Sequence, residues 1–195
     1  MRSIPIVAIA LAVPLIGLAQ PFTAMDVNDK LNYQLKLSVG PVGLLEDAAY
    51  AGFLQIDNSP KEWGQGWAAY GKRYWSTAAT SGIHSALAFG LDTTLREDPR
   101  YFRSDGGGFW RRAGHAVRGT ILTHTDHGGE TLSMWRFGSA YGAAYISNQW
   151  YPGRLNTVRT GFADGSVRLG FDLVSNLATE FWPDVKRDML RVKPR

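Results

Sequence analysis

Apolar and polar residues alternate without interruption over residues 31–39, Leu-Asn-Tyr-Gln-Leu-Lys-Leu-Ser-Val. A period of two sustained over this length predicts a β-strand. A second alternating stretch, 166–174, is the obvious candidate to pair with it. Its leucines continue as Leu169, Leu173 and Leu177, however, and a four-residue spacing favours a helix. We therefore predict one short extended segment near the N-terminus and helices over most of the remaining chain.

The clearest helix start in the sequence is Ser59-Pro60-Lys61-Glu62. Serine at the N-cap, proline at the first helical position and glutamate at the third form a capping box. This pattern predicts a helix that begins at Pro60, follows a shorter helix over 44–56, and is divided by nearby glycines. Glycine interrupts it because each one costs ~1 kcal/mol relative to alanine inside a helix.

Small residues recur every fourth position in the following stretch, at Ala78, Gly82, Ala86 and Gly90. Such a spacing places them on one helix face, where a second helix backbone can approach closely. We expect this face to pack tightly in the core of a soluble bundle. The alternative is a helix that packs within or against a membrane.

Further helices are predicted over 109–122, 132–150 and 166–190, with a kink or restart of the last one at Pro183. The fold class is therefore mainly α: a single compact bundle of about five glycine- and alanine-rich helices over residues 20–195. A small β-barrel is the alternative, because alternating stretches rich in glycine and aromatic residues recur and about 176 residues suffice for eight strands.

The first residues, Met-Arg-Ser, precede an apolar run that ends at Gly17-Leu18-Ala19. A positive start, a short apolar core and a small-x-small site predict a secretory signal peptide over residues 1–19, with Ala24 as a second cleavage site. We therefore expect an exported protein, located in the periplasm or associated with the outer membrane.

Composition excludes several functional classes. The chain has no cysteine, so disulfides, thiolate metal sites and a cysteine nucleophile are excluded. Removal of Arg2 with the signal lowers the net charge from +4 to +3, which is too weak an excess to indicate nucleic-acid binding. No phosphate loop, dinucleotide fingerprint or nucleophile elbow occurs, so we predict no cofactor and no catalytic residue.

The best candidate for a metal site is the segment His124-Thr-Asp126-His127, followed by Glu130. Imidazole and carboxylate groups are the ligands that zinc prefers, and Gly128-Gly129 would let the loop bend them together. This arrangement would support a metal-dependent enzyme. The alternative is a solvated surface loop, since the spacing matches no established zinc motif.

Basic residues lie beside aromatic ones in two places, near Trp110 and near Trp182. Arginines and aromatic rings side by side suit an anionic membrane surface. The candidate contacts with a membrane or an envelope protein are Arg111, Arg112, Lys186, Arg187 and Arg191. In the alternative interpretation these arginines pair internally with carboxylates such as Glu180.

Four motifs, Ser59–Gly66, Asp98–Phe102, Ser147–Pro152 and Glu180–Lys186, resemble those of a group of uncharacterised exported bacterial proteins. The resemblance spans most of the exported chain and implies a bacterial envelope location, but it implies no activity. In that group, arginine and serine stand where this chain has His124 and His127, which disfavours a shared metal site. The sequence as a whole favours a non-catalytic envelope protein with a structural or peripheral membrane-associated role.

Overall fold

A computed structural model describes residues 23–191, so the predicted signal peptide lies outside the described residues. The predicted mainly helical bundle is confirmed. Its elements are α1 (Val27–Val39), α2 (Pro41–Ile56), α3 (Trp67–Thr94), α4 (Phe109–Ile121), the hairpin β1 (Leu122–His124) and β2 (Glu130–Leu132), α5 (Met134–Ser147) and α6 (Val158–Arg191). Short 3-10 turns lie at Lys61–Trp63 and Asn148–Trp150.

The segment predicted to be a strand, 31–39, is helical, so that prediction was wrong. Asp26 caps α1 by accepting a hydrogen bond from the amide of Asp29 at 2.7 Å. The buried face of α1 consists of Lys30, Gln34 and Ser38, which recur every four residues. We predicted a strand because we expected the alternating apolar side chains to face the core. In α1 the polar side chains Lys30, Gln34 and Ser38 face the core instead.

The capping box does not start a helix, which corrects the second prediction. The fully buried side chain of Arg73 donates to the carbonyls of Ser59, Pro60 and Gly64 at 2.8, 3.0 and 3.0 Å. These carbonyls therefore point at a guanidinium instead of along a helix axis. Only the 3-10 turn forms there, and α3 begins at Trp67.

The central helices pack antiparallel to one another. A Cβ atom added at Gly138 or Gly142 of α5 would lie 2.6 or 2.9 Å from the side chains of Leu91 or Leu87 of α3. On its other side, α5 places Tyr141 and Tyr145 against glycines of α6, and an edge contact between Tyr50 and Phe171 brings α2 to α6. α2 runs antiparallel to α3, because Asp47 contacts Ser81 while Gln55 contacts Arg73, and α1 packs near the end of α3, where Lys30 contacts Asp92.

The small-residue face of α3 lies on the outside of this bundle, so its predicted packing in the core was wrong. A Cβ atom placed on Gly82 or Gly90 would meet no heavy atom within 4 Å, and Ala86 is exposed. Among the central helices α3, α5 and α6, the close glycine contacts are instead those of α5 and α6. The last helix also differs from prediction, since it begins at Val158 and continues through Pro183 without interruption.

The distribution of polarity is inverted relative to an ordinary soluble bundle. Among the described residues, the buried apolar side chains are seven alanines and Trp135. Buried polar groups include Lys30, Arg73, His84, Asp92 and Glu180. Large apolar side chains are exposed on α1, α2, α4 and α6. In the part of the chain that the structure describes, no helix has both the length and the apolar character that crossing a membrane requires.

Candidate functional site: a basic cleft beside an apolar helix face

Helix α4 turns an apolar stripe outward. Ala116 and Thr120 are buried, and Thr120 accepts a hydrogen bond from Asn176 of α6 at 2.9 Å. Three other side chains of α4 that share a neighbouring side, Trp110, Val117 and Ile121, are 83%, 44% and 45% exposed. We call these three residues the α4 apolar face. Exposed side chains of this size are normally found where a protein meets a partner or a membrane.

A basic cleft borders the α4 apolar face. It has a volume of about 330 Å³ and is lined by Arg103, Ser104, Asp105, Arg111, Gly114, His115 and Arg118. Left-handed backbone at Gly106 and Gly107, with φ of 113° and 119°, turns the chain so that residues 103–105 lie against α4. Three arginines and one aspartate give the basic cleft a net positive charge, which suits an anion.

A buried carboxylate fixes one wall of the basic cleft. Glu180 accepts hydrogen bonds from the hydroxyl of Tyr101 at 2.8 Å, from the amide and hydroxyl of Ser104, and from Arg112. Burial disfavours the charge of Glu180, but the hydrogen bonds from Ser104, Tyr101 and Arg112 outweigh it and lower its pKa. Burial raises the pKa of Tyr101, and so do its hydrogen bond to Glu180 and the negative charge of that carboxylate. Ser104 and α4 are thereby tied to α6.

The ring of His115 is held in one orientation by this carboxylate. Tyr101 donates to Glu180, so its oxygen accepts from Nδ1 of His115, which lies 3.0 Å away. This assignment leaves Nε2 of His115 as the ring nitrogen available to the basic cleft. His115 is therefore a polar lining residue whose position Tyr101 and Glu180 determine.

The five predicted contact residues fall into different environments. Arg111 is exposed in the basic cleft, and no described carboxylate lies within ion-pair distance of it. Arg112 is engaged with Glu180 and Asp184, as the internal-pairing alternative expected. Lys186 and Arg187 are exposed on α6, where Arg187 pairs with Asp184 at 3.1 Å. The side chain of Arg191 lies outside the described residues.

The predicted metal ligands take separate partners. Asp126 accepts from Nζ of Lys30 at 2.9 Å, and His127 lies 3.3 Å from the guanidinium of Arg96. The ring of His124 packs edge-on against Phe102 at 4.9 Å between centroids. Within residues 23–191, no three His, Asp or Glu side chains converge as a metal would need. Zinc binding by His124, Asp126 and His127 stays an untested hypothesis.

The buried pair His84 and Ser139 resembles a base and its nucleophile, but its hydrogen bonds are wrong for that role. Arg168 lies 3.4 Å from Nδ1 of His84, and arginine can only donate. Nε2 therefore carries the hydrogen and donates to Ser139, whose oxygen lies 3.1 Å away. Burial, together with Arg168 and Arg136, lowers the pKa of His84 well below its usual value. A neutral histidine with this tautomer cannot take the serine proton.

Sequence analysis missed the basic cleft because it grouped residues by proximity along the chain. Arg103 and Arg118 stand fifteen positions apart, and His115 lies between them on a predicted helix. The signal that was present is the spacing of Arg111, His115 and Arg118, which share one face of α4.

Comparison of the chain with family models, curated proteins and solved structures finds no match.

Proposed function

We propose that this protein is a non-catalytic component of the cell envelope that associates with a membrane through its apolar exterior. The observation that carries the proposal is the inverted polarity of the bundle. Helices α1 and α2 bury polar side chains and expose large apolar ones, although the hydrophobic effect favours the reverse arrangement in water.

Helix α2 shows the inversion most clearly. Its buried face consists of Gly43, Asp47 and Ala51. The opposite face exposes Val42, Leu45, Ala49, Phe53 and Ile56, and Ile56 is 88% exposed. Asp47 lies inside, where burial raises its pKa. An apolar stripe of this kind is expected to face a core, and within residues 23–191 nothing covers it.

Lipid explains the exposed surface better than one protein partner does. A twofold dimer covers the same single patch on each subunit. Here the exposed apolar side chains lie on several helices, including Leu31 and Leu35 of α1, Val117 of α4, and Val174 of α6. A bilayer surface can accommodate such a distribution because acyl chains adapt to the shape of the protein. The positive charge of the chain favours a membrane that contains anionic lipid.

Vesicle flotation tests the proposal with protein purified from cells that express the full chain. We expect the protein to float with phosphatidylglycerol vesicles. The variant Leu45→Gln with Phe53→Gln should reduce its partition by at least about tenfold, because each large apolar side chain contributes ~1.5–3 kcal/mol on burial. The control, Asn28→Gln with Asn32→Gln on α1, alters only exposed polar groups. A protein that stays at the bottom of the gradient with every vesicle composition would contradict the proposal.

A further inference from the structure

We propose that the basic cleft seats the phosphate-bearing headgroup of an anionic phospholipid while the α4 apolar face enters the adjoining acyl region. This inference rests on the proposed membrane association and names the part of the surface that recognises lipid. It identifies a binding site with a definite ligand class, the phosphodiester or phosphomonoester group of a lipid.

Two stripes of side chains run next to each other along α4. Arg111, His115 and Arg118 follow one another at spacings of four and three residues, so they line one side of the helix. The α4 apolar face follows the neighbouring side, at positions 110, 117 and 121. A helix with basic and apolar stripes side by side is typical of a segment that lies in the plane of a membrane interface.

The basic cleft has open space beside Gly114. Gly114 lies between the two stripes, and a Cβ atom added there would meet no heavy atom within 4 Å. The space beside it is part of a cleft of about 330 Å³, which can accommodate a phosphate group and its first substituent atoms. The recess is shallow and open to solvent, so a headgroup can enter it directly from a membrane surface.

Arginines of the basic cleft supply hydrogen-bond donors that suit a phosphate group. Guanidinium groups bind phosphate oxygens through paired N–H donors, and the exposed Arg111 has no carboxylate partner among the described residues. Arg118 pairs with Glu130 at an exposed position, where a phosphate group can compete for it. The hydroxyl of Ser104 is already engaged with Glu180, and Nε2 of the neutral His115 ring can only accept because the hydrogen is on Nδ1, so Arg111 and Arg118 are the donors toward the lipid.

Charge substitution in the cleft gives the first test. Arg111→Gln with Arg118→Gln should lower partition onto phosphatidylglycerol vesicles by at least about tenfold, since each basic residue near the surface contributes ~1 kcal/mol. Partition onto neutral phosphatidylcholine vesicles should change less than twofold. Lys36→Gln with Lys61→Gln is the matched control, because it removes the same charge from exposed positions elsewhere. Equal losses in the two double variants would overturn the headgroup site and leave the membrane association standing.

Filling the cleft without changing its charge gives the second test. Gly114→Gln should remove the preference for phosphatidylglycerol, whereas Gly90→Gln, at another open helical glycine, should leave it unchanged. Inorganic phosphate separates a lipid headgroup from a free phosphate ligand. If millimolar phosphate binds the cleft, as followed by NMR shifts of α4, while Gly114→Gln keeps its full lipid preference, the ligand is a free phosphate and the lipid assignment is wrong.

Discussion

Replacing Gly165 of α6 by alanine tests how closely α5 and α6 pack. Alanine inside a helix is favoured over glycine by ~1 kcal/mol. The new Cβ atom would lie only 2.3 Å from Cδ1 of Tyr141, so the ring must move by about 1 Å to reach ordinary contact. Tyr141 stacks on Phe162, with ring centroids 5.4 Å apart, and its hydroxyl lies 3.2 Å from that of Ser166. These contacts hold the ring in place, and overpacking of this kind costs ~1–3 kcal/mol.

Gly170→Ala is the matched control, since Gly170 lies on the same helix and its Cβ atom would meet nothing within 4 Å. We expect Gly170→Ala to stabilise the protein and Gly165→Ala to destabilise it or leave it unchanged. The two variants should differ by about 2 kcal/mol, which corresponds to ~4–8 °C in Tm for a chain of this size. Thermal unfolding followed by circular dichroism measures the difference. Two variants that raise Tm equally would refute the packing of Tyr141 against α6.

Three further predictions concern buried charges and metal binding. Glu180→Gln should destabilise the protein by about 3 kcal/mol at pH 7, because it breaks a buried charge network. The pKa of Glu180 is lowered, so the difference from wild type should shrink as pH falls below about 4 in urea unfolding, and a constant difference would contradict this. Burial raises the pKa of Asp92 to about 6, so its folded carboxyl keeps a proton that the unfolded chain releases near pH 4. Wild type should therefore lose stability relative to Asp92→Asn as pH rises from 4 to 7, and parallel Tm profiles would argue against it. Calorimetry at pH 7.5 should detect no stoichiometric zinc, whereas one ion lost in His124→Ala with His127→Ala would restore the metal-site hypothesis.

Sequence patterns predicted the helical class and several helix positions because helical periodicity depends on local spacing. The 109–122 prediction matches α4 within one residue. The strand prediction over 31–39 was wrong because it assumed that polar side chains face water, whereas Gln34 and Ser38 are buried. The helix start at Pro60 was wrong because the distant Arg73 takes the carbonyls of Ser59 and Pro60 as hydrogen-bond acceptors.

The candidate site depends on contacts that local patterns do not encode. Glu180 meets Tyr101 across 79 positions of the chain, and this contact orients His115 beside the arginines of α4. Arg111 was identified from the sequence as a membrane contact and lies in the basic cleft. Arg112, its neighbour, points toward Glu180 because α4 packs on α6 along that side. Consecutive residues of a helix point about 100° apart, so Arg111 faces the basic cleft whereas Arg112 pairs internally with Glu180.

The absence of cysteine from the sequence allows a direct test of the surface that we propose to contact lipid. A single cysteine can be introduced and labelled with an environment-sensitive fluorophore, as Val117→Cys on the α4 apolar face or Leu45→Cys on α2. Asn156→Cys, at an exposed polar position, is the control. On addition of phosphatidylglycerol vesicles, the labels at positions 117 and 45 should shift to shorter wavelength and become protected from an aqueous quencher. The label at position 156 should change little. If vesicles leave the labels at 117 and 45 as accessible to the quencher as before, the apolar exterior does not contact lipid and the account is wrong.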